Sequence, residues 1–256
     1  DYTLQDFSRE EASRLIPLSN PFLRKLFLFI SSIDLDERIL WIVEDLVSIF
    51  LACNLRDILK TYGKSTKMEN PIIHFYEDFL VEYDPKLRKA RGVWYTPQPV
   101  VNFIVRAVDD VLKTEFDLPQ GLADTSKTKI TTPNPSKGGE KTREVHKVQI
   151  LDPATGTGTF LAEVVKHIHK KFEGQKGIWN SYVEQHLIPR LNGFELLMAS
   201  YAMAHLQLDI LLSELSSPNP EEIEMRKSEQ RFNIFLTNSL EAPKLEQPNL
   251  FTAPFI

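Results

Sequence analysis

The 256-residue chain is expected to fold as an α/β protein, a parallel sheet preceded by an all-helical segment. Two observations predict this. Residues 1–89 repeat apolar side chains at helical spacing, and from residue 146 onward short apolar runs alternate with longer helical ones. A third observation narrows it: "ILDPATGTGTFL" (150–161) sets a glycine turn between a strand and a helix. In such sheets ligands sit beyond the carboxyl ends of the strands, where this turn lies.

In the helical segment, "SNPFLRKLFLFISS" and "LDERILWIVEDLVSIFLACNLRDILKTYG" carry apolar residues at helical spacing, such as Leu40, Val43, Val47 and Phe50, with Gly63 as a stop. "NPIIHFYEDFLVEYD" predicts a further helix between Asn70 and Pro85, with Pro71 in its first turn. These helices are expected to pack; none carries a catalytic constellation. The next helix has Thr96 as its expected N-cap and Pro97 at its first position, with Val101, Ile104, Val105 and Val108 on one face.

Residues 119–147 turn polar and rich in Pro, Gly, Thr and Lys, which predicts a solvated loop or a hairpin pairing "KTKIT" with "REVHKVQI". Its excess of Lys and Arg offers a nucleic-acid-facing surface as the alternative to a mobile solvated loop. Then "HKVQILD" reads as a strand, followed by the glycine turn and the helix "FLAEVVKHIHKKF". A second strand, "LNGFEL", leads into the helix "MASYAMAHLQLDILLSEL", and a third strand reads "FNIFLTNSL". Helices are expected on both faces of the sheet. The chain thus divides into a helical segment, 1–89, and a ligand-binding α/β part, 90–256.

Composition sets limits. Hydrophobic residues at 42% and charged residues at 25% are ordinary for a soluble globular protein. A net charge of -5 argues against these residues acting alone as a strong electrostatic DNA clamp. The basic run "KLRKAR" (86–91) reads as a solvated surface. Cys53 is the only cysteine, which excludes an internal disulfide and a zinc site of cysteines, and it is expected to fill core space. The most apolar stretch, "LVSIFLACNL", falls well short of the ~20 residues that cross a bilayer, and "DYTLQDFSREE" lacks the pattern of a signal peptide. A cytoplasmic protein with no membrane partner is expected.

The neighbours of the glycine turn choose among its ligands. A triphosphate loop needs Gly-Lys-Ser/Thr, and here Gly158 is followed by Thr159 and Phe160. A dinucleotide turn needs a small residue where Leu161 stands. His167 and His169, two apart, point to different sides of their helix and make a poor metal pair, so no metal is expected. Lying near its C-terminus, they suit the helix dipole. His205 is expected to be packed rather than reactive.

"LDPATGTGTFL" resembles motif I of S-adenosylmethionine-dependent methyltransferases, specifically the adenine-N6 DNA methyltransferases of restriction–modification systems. The neighbours agree in order. "WYTPQPVV" resembles their motif X, "NGFELLMASYAMAHLQL" motif II and "IFLTNSL" motif III. "YDPKLRKARGVWYTPQPVVNFIVRAVDDVL" and "REVHKVQILDPATGTGTFL" are similar to the single-chain type ISP enzymes, and the resemblance covers roughly residues 70 to 256.

The resemblance implies a Rossmann-like, class I methyltransferase sheet binding S-adenosyl-L-methionine. Glu195 would take the ribose hydroxyls, and Asp152 would shape the turn and set a negative charge near the amino group and sulfonium. The backbone of Ala154, Gly156 and Gly158 would border the methionine part. Asn238 would accept from the adenine amino group, with Phe160 and Leu196 as apolar contacts. Tyr95 and Thr96 would close the pocket over the methionine end. For each, a plainer role stays open: a surface glutamate, a turn-forming aspartate, an asparagine satisfied by its own loop, packing aromatics.

The family flips an adenine out of duplex DNA and holds it with an Asn/Asp-Pro-Pro-Tyr/Phe loop, motif IV. These residues contain no such tetrapeptide, so no catalytic residue is assigned. The expectation is the cofactor-binding half of a methyltransferase, inactive alone. Double-stranded DNA and the rest of a multidomain restriction–modification polypeptide are the expected partners. A methyltransferase of protein or RNA, a non-catalytic helical and Rossmann-like interaction module, and a nicotinamide oxidoreductase remain as alternatives.

Overall fold

A computed structural model of the chain describes residues 20–31, 35–53, 82, 86, 96–133, 140–216 and 230–241. Helices α1 (Pro21–Ser31) and α2 (Glu37–Ala52) come first. Asn20 caps α1, its Oδ1 accepting from Leu23 N–H at 3.0 Å, while its Nδ2 donates to Ala202 O at 3.2 Å. The cap thereby anchors the helix start to the body, where Phe22 packs on the core. Helix α2 ends at Ala52, short of the Gly63 expected to stop it. It leaves Trp41 and Ile49 exposed, and Leu40 and Val43 only half-buried among the described residues. Cys53, expected in the core, sits half-buried just beyond the last turn of α2. Gly63 lies outside the described residues, as does the helix expected between Asn70 and Pro85 apart from Glu82, which is helical.

Helix α3 (Gln98–Thr114) starts one residue later than expected. Pro97, not Thr96, is its N-cap, and no side chain caps it. The Pro97 carbonyl accepts from the N–H groups of Val100 and Val101, and Pro99, which has no N–H to satisfy, fits the first turn. The buried stripe is Val101, Val105 and Asp109, four residues apart. Ile104 and Val108, expected on the same face, are exposed.

Asp109 is what fixes α3 in place. Its carboxylate accepts from Leu122 N–H at 2.7 Å, and pairs with Lys113 at 2.5 Å and with His167 at 3.0 Å. Burial pulls this carboxyl up, but Lys113, His167 and the Leu122 amide outweigh burial and hold it at about 2. His167 therefore joins two helices through its contact with Asp109 rather than simply facing its own helix dipole.

Strands β1 (Lys127–Pro133) and β2 (Glu140–His146) pair antiparallel, Lys127 opposite His146 and Pro133 opposite Glu140. Of the two expectations for this polar stretch, the hairpin is the one observed. His146 belongs to it, so the next strand, β3 (Ile150–Asp152), is shorter than "HKVQILD" suggested.

After β3 come α4 (Thr159–His169), α5 (Lys176–Tyr182), β4 (Leu191–Glu195), α6 (Met198–Ser216) and β5 (Asn233–Leu236). The sheet order is β3-β4-β5, all parallel, with Ile150 beside Leu191 and Gly193 beside Ile234. Both crossovers step the same way across the sheet, and crossovers of one hand then put both helices on one side. Accordingly α4 and α6 pack on each other, and α6 on β4 and β5. Leu191 and Ile234 lie beneath them at 1% exposure, joined in the core by Leu161, Val165, Leu208 and Leu212. On the opposite face Leu151 is 53% and Phe235 38% exposed. The expectation of helices on both faces is thus met on one face among the described residues. No helix among them is long and apolar enough to cross a membrane.

Candidate ligand site at the glycine turn

The turn between β3 and α4 is built by its own backbone. Thr155 N–H donates to Phe194 O at 2.9 Å and Thr155 Oγ1 to Asp152 O at 3.1 Å, fastening the turn to the neighbouring strand. Gly158 is the N-cap of α4 at φ 91°, a left-handed conformation that disfavours a side chain. A Cβ there would also meet Ala204 of α6 at 3.3 Å. Gly156, at φ 55°, differs: a Cβ would meet nothing within 4 Å. Gly158 is therefore required by helix packing, while Gly156 presents bare backbone to open space, where a ligand can approach.

Two carboxylates converge on this backbone. Glu195, at the end of β4, is 8% exposed. Its Oε2 accepts from Gly156 N–H and its Oε1 from Leu197 N–H, both at 2.7 Å. It is thus a buried tie between strand end and turn, not a surface glutamate. Asp152 Oδ1 accepts from Ala154 N–H at 3.1 Å, the turn-forming bond, while Oδ2 is buried without a hydrogen-bond partner. Burial pushes the Asp152 carboxyl up, the Ala154 amide works against that, and the charge of Glu195 adds to the rise. A buried acceptor with nothing to accept, beside a second carboxylate, is suited to a ligand that brings donors and positive charge.

The other residues singled out from the sequence are less closely grouped. Ala154 is an exposed member of the turn. Asn238 follows β5, and its Oδ1 accepts from Leu240 N–H at 3.1 Å, so one of its acceptor positions serves its own turn. The second stays available for an amino group. Leu196 is exposed beside Glu195. Phe160 instead lines a groove of about 530 Å³ beside the outer edge of β3, with Ile104, Val108, Leu151 and Asp152. Leu196 is not among the residues that line it. Thr96 is half-buried just before α3, and Tyr95 lies outside the described residues.

Sequence reasoning missed Glu163, which is buried in α4 and accepts from Gln98 Nε2 at 3.0 Å. That bond ties the first turn of α3 to α4. A carboxylate inside an apolar helix stretch, "FLAEVV", was the available signal. His205 is fully buried in α6, edge-on to Tyr201 at 4.7 Å, and burial pushes it down to about 4. It is a packed, neutral imidazole. Among the described residues no group of three or more side chains is placed to hold a metal.

No family model matches the sequence, and no curated protein does. Solved structures that show some likeness include three complexes with DNA or a DNA mimic. One is a nuclease-deletion mutant of the Type ISP restriction-modification enzyme LlaGI in complex with a DNA substrate mimic. It is 25% identical over 56% of this chain and 10% of that one, with a TM-score of 0.37. Another is the ATP-dependent Type ISP restriction-modification enzyme LlaBIII bound to DNA, at 28% identity, 52% and 7% coverage, and a TM-score of 0.36. The third is a DrdV–DNA complex, at 23% identity, 91% and 21% coverage, and a TM-score of 0.44. The chain spans between 7% and 21% of the length of these proteins.

Proposed function

We propose that the glycine turn binds S-adenosyl-L-methionine, and that the chain is the cofactor-binding portion of a site-specific adenine-N6 DNA methyltransferase of a restriction–modification system. The observation that carries the cofactor assignment is the pair of carboxylates on the turn: Glu195 holding Gly156 N–H and Asp152 with its unpartnered buried oxygen. S-adenosylmethionine offers what they lack, a ribose diol, an ammonium and a sulfonium. The class of enzyme rests on the ordered resemblance of four motifs, with motif X ahead of motif I.

In this reading Glu195 turns its remaining lone pairs to the ribose hydroxyls while keeping the turn folded. Asp152 Oδ2 accepts from the ammonium, and the open side of Gly156 lets the methionine chain run against backbone. Asn238 uses its second acceptor position for the adenine amino group. Bound there, the cofactor supplies a methyl group made electrophilic by the sulfonium. No residue is assigned to hold the target base, and duplex DNA is reached through the whole protein.

The test is calorimetric titration with S-adenosylmethionine and, separately, NAD. Binding of the first alone supports the assignment. Binding of NAD alone would return the turn to the dinucleotide class.

A further inference from the structure

The β1–β2 hairpin has no part in the turn, and it is a basic stretch of an acidic chain. Residues 127–147 hold six Lys or Arg (127, 129, 137, 141, 143, 147) and two Glu (140, 144), in a chain whose net charge is -5. The strands are seven residues each, so the ribbon is about 23 Å long. Lys127 to Thr131 and Thr142 to Glu144 are all exposed. Among the described residues the packing is at the base, where Val145 is half-buried and His146 buried, its Nε2 3.0 Å from Nδ1 of His186. A two-stranded ribbon buries too little to be stable by itself. Cross-strand pairing, including a 3.1 Å contact between the Thr131 and Thr142 hydroxyls, sets its register, and the His146–His186 contact ties its base to the body.

Alternation along the strands spreads the charge. Lys127 and Lys129 project to one face with Glu144, while Arg143 projects to the other with Ile130. At the base, burial lowers both His146 and His186, and the positive charge of Arg190 and Lys127 lowers them further. Basic side chains thus stand on both faces of the ribbon, Lys127 and Lys129 on one and Arg143 on the other.

We infer that this hairpin is an arm that contacts the phosphates of duplex DNA. The shape chooses among polyanions. A two-stranded ribbon enters the ~12 Å major groove of B-form DNA, whereas the major groove of A-form RNA is too narrow for it. Single strands are held by stacking on aromatic rings, and residues 127–147 contain no Phe, Tyr or Trp. The inference rests on the reading that duplex DNA is the substrate, but it uses no residue of the cofactor site.

The test is fluorescence anisotropy of the whole chain with a labelled 25-base-pair duplex between 50 and 200 mM salt. The expected result is salt-dependent binding that Lys129→Glu with Arg143→Glu weakens at least tenfold at 50 mM, with a slope against log salt lower by about 2. Glu144→Lys should tighten it, which guards against a variant that loses binding by misfolding. Equal binding by wild type and double variant, no binding at 50 mM, or equal affinity for duplex RNA, single strands or polyglutamate would each overturn the inference. Cofactor titration of the same variants reads the glycine turn separately, so failure of one assignment is distinguishable from failure of the other.

Discussion

The two faces of the three-stranded sheet are built from similar residues and meet different fates. On one, Leu191 and Ile234 are sealed under α4 and α6; on the other, Leu151 and Phe235 stand exposed, and Phe194 meets Phe235 at a ring separation of 6.3 Å. Parallel strands are apolar on both faces because both are normally covered. Strand composition therefore says that a face is to be buried, while the direction of the crossovers decides which face the local helices reach. The glycine turn lies where the covered face ends, and its carboxylates inherit that burial.

The largest expected effect separates the faces directly. Leu191→Ala should cost about 3 kcal/mol in denaturant unfolding, because the packed helices cannot collapse into the void. Leu151→Ala should cost less than about 1 kcal/mol. Equal losses would mean that the outer face is as tightly packed as the inner one.

The covered face should also show an acid limit. His205 is held at about 4 in the folded state against 6.5 when unfolded, so between these values the unfolded chain binds more protons. Stability is complete above 6.5 and declines by roughly 3 kcal/mol as pH falls towards 4. Replacing His205 with Phe should flatten that window in urea melts taken across it. Asp109 acts lower. Its carboxyl is depressed from 3.8 to about 2, so its contribution is present above 3.8 and is lost as pH falls through that lower range. Asp109→Asn should leave the His205 window unchanged and remove the decline below it.

The strand and helix order was legible because periodicity reports burial: α3, β4 and α6 fall within a residue or two of the expected segments, while α4 and β5 start within a residue of where expected and end three and four residues early. The stripe on α3 was misread because Ile104 and Val108 are apolar but face a groove, while Asp109, polar and buried, carries the contact. A pattern of hydrophobicity cannot announce a buried aspartate whose partners come from another helix and a distant turn. At the candidate site, Gly156, Gly158, Asp152 and Glu195 were legible as a group. That Gly158 serves helix packing, that Glu195 ties the turn, and that Phe160 lines a groove beside β3 are matters of tertiary contact. Glu163 was visible only as an anomaly.

The smallest effect concerns proton linkage at the turn. Since burial and Glu195 raise the Asp152 carboxyl, a cationic ligand that pairs with it should bring it back down. S-adenosylmethionine binding should then release a fraction of a proton at mildly acidic pH. Titrations in buffers of different ionisation enthalpy would detect it, and Asp152→Asn should abolish it.

The most direct test of the central claim is calorimetric titration of S-adenosylmethionine into the wild-type chain and into Glu195→Gln, each first checked for unaltered melting. The account predicts a single site in the wild type, weakened at least tenfold in the variant, because the carboxylate that holds the turn would also take the ribose. Absence of binding in the wild type, or equal affinity in the two proteins, would contradict it.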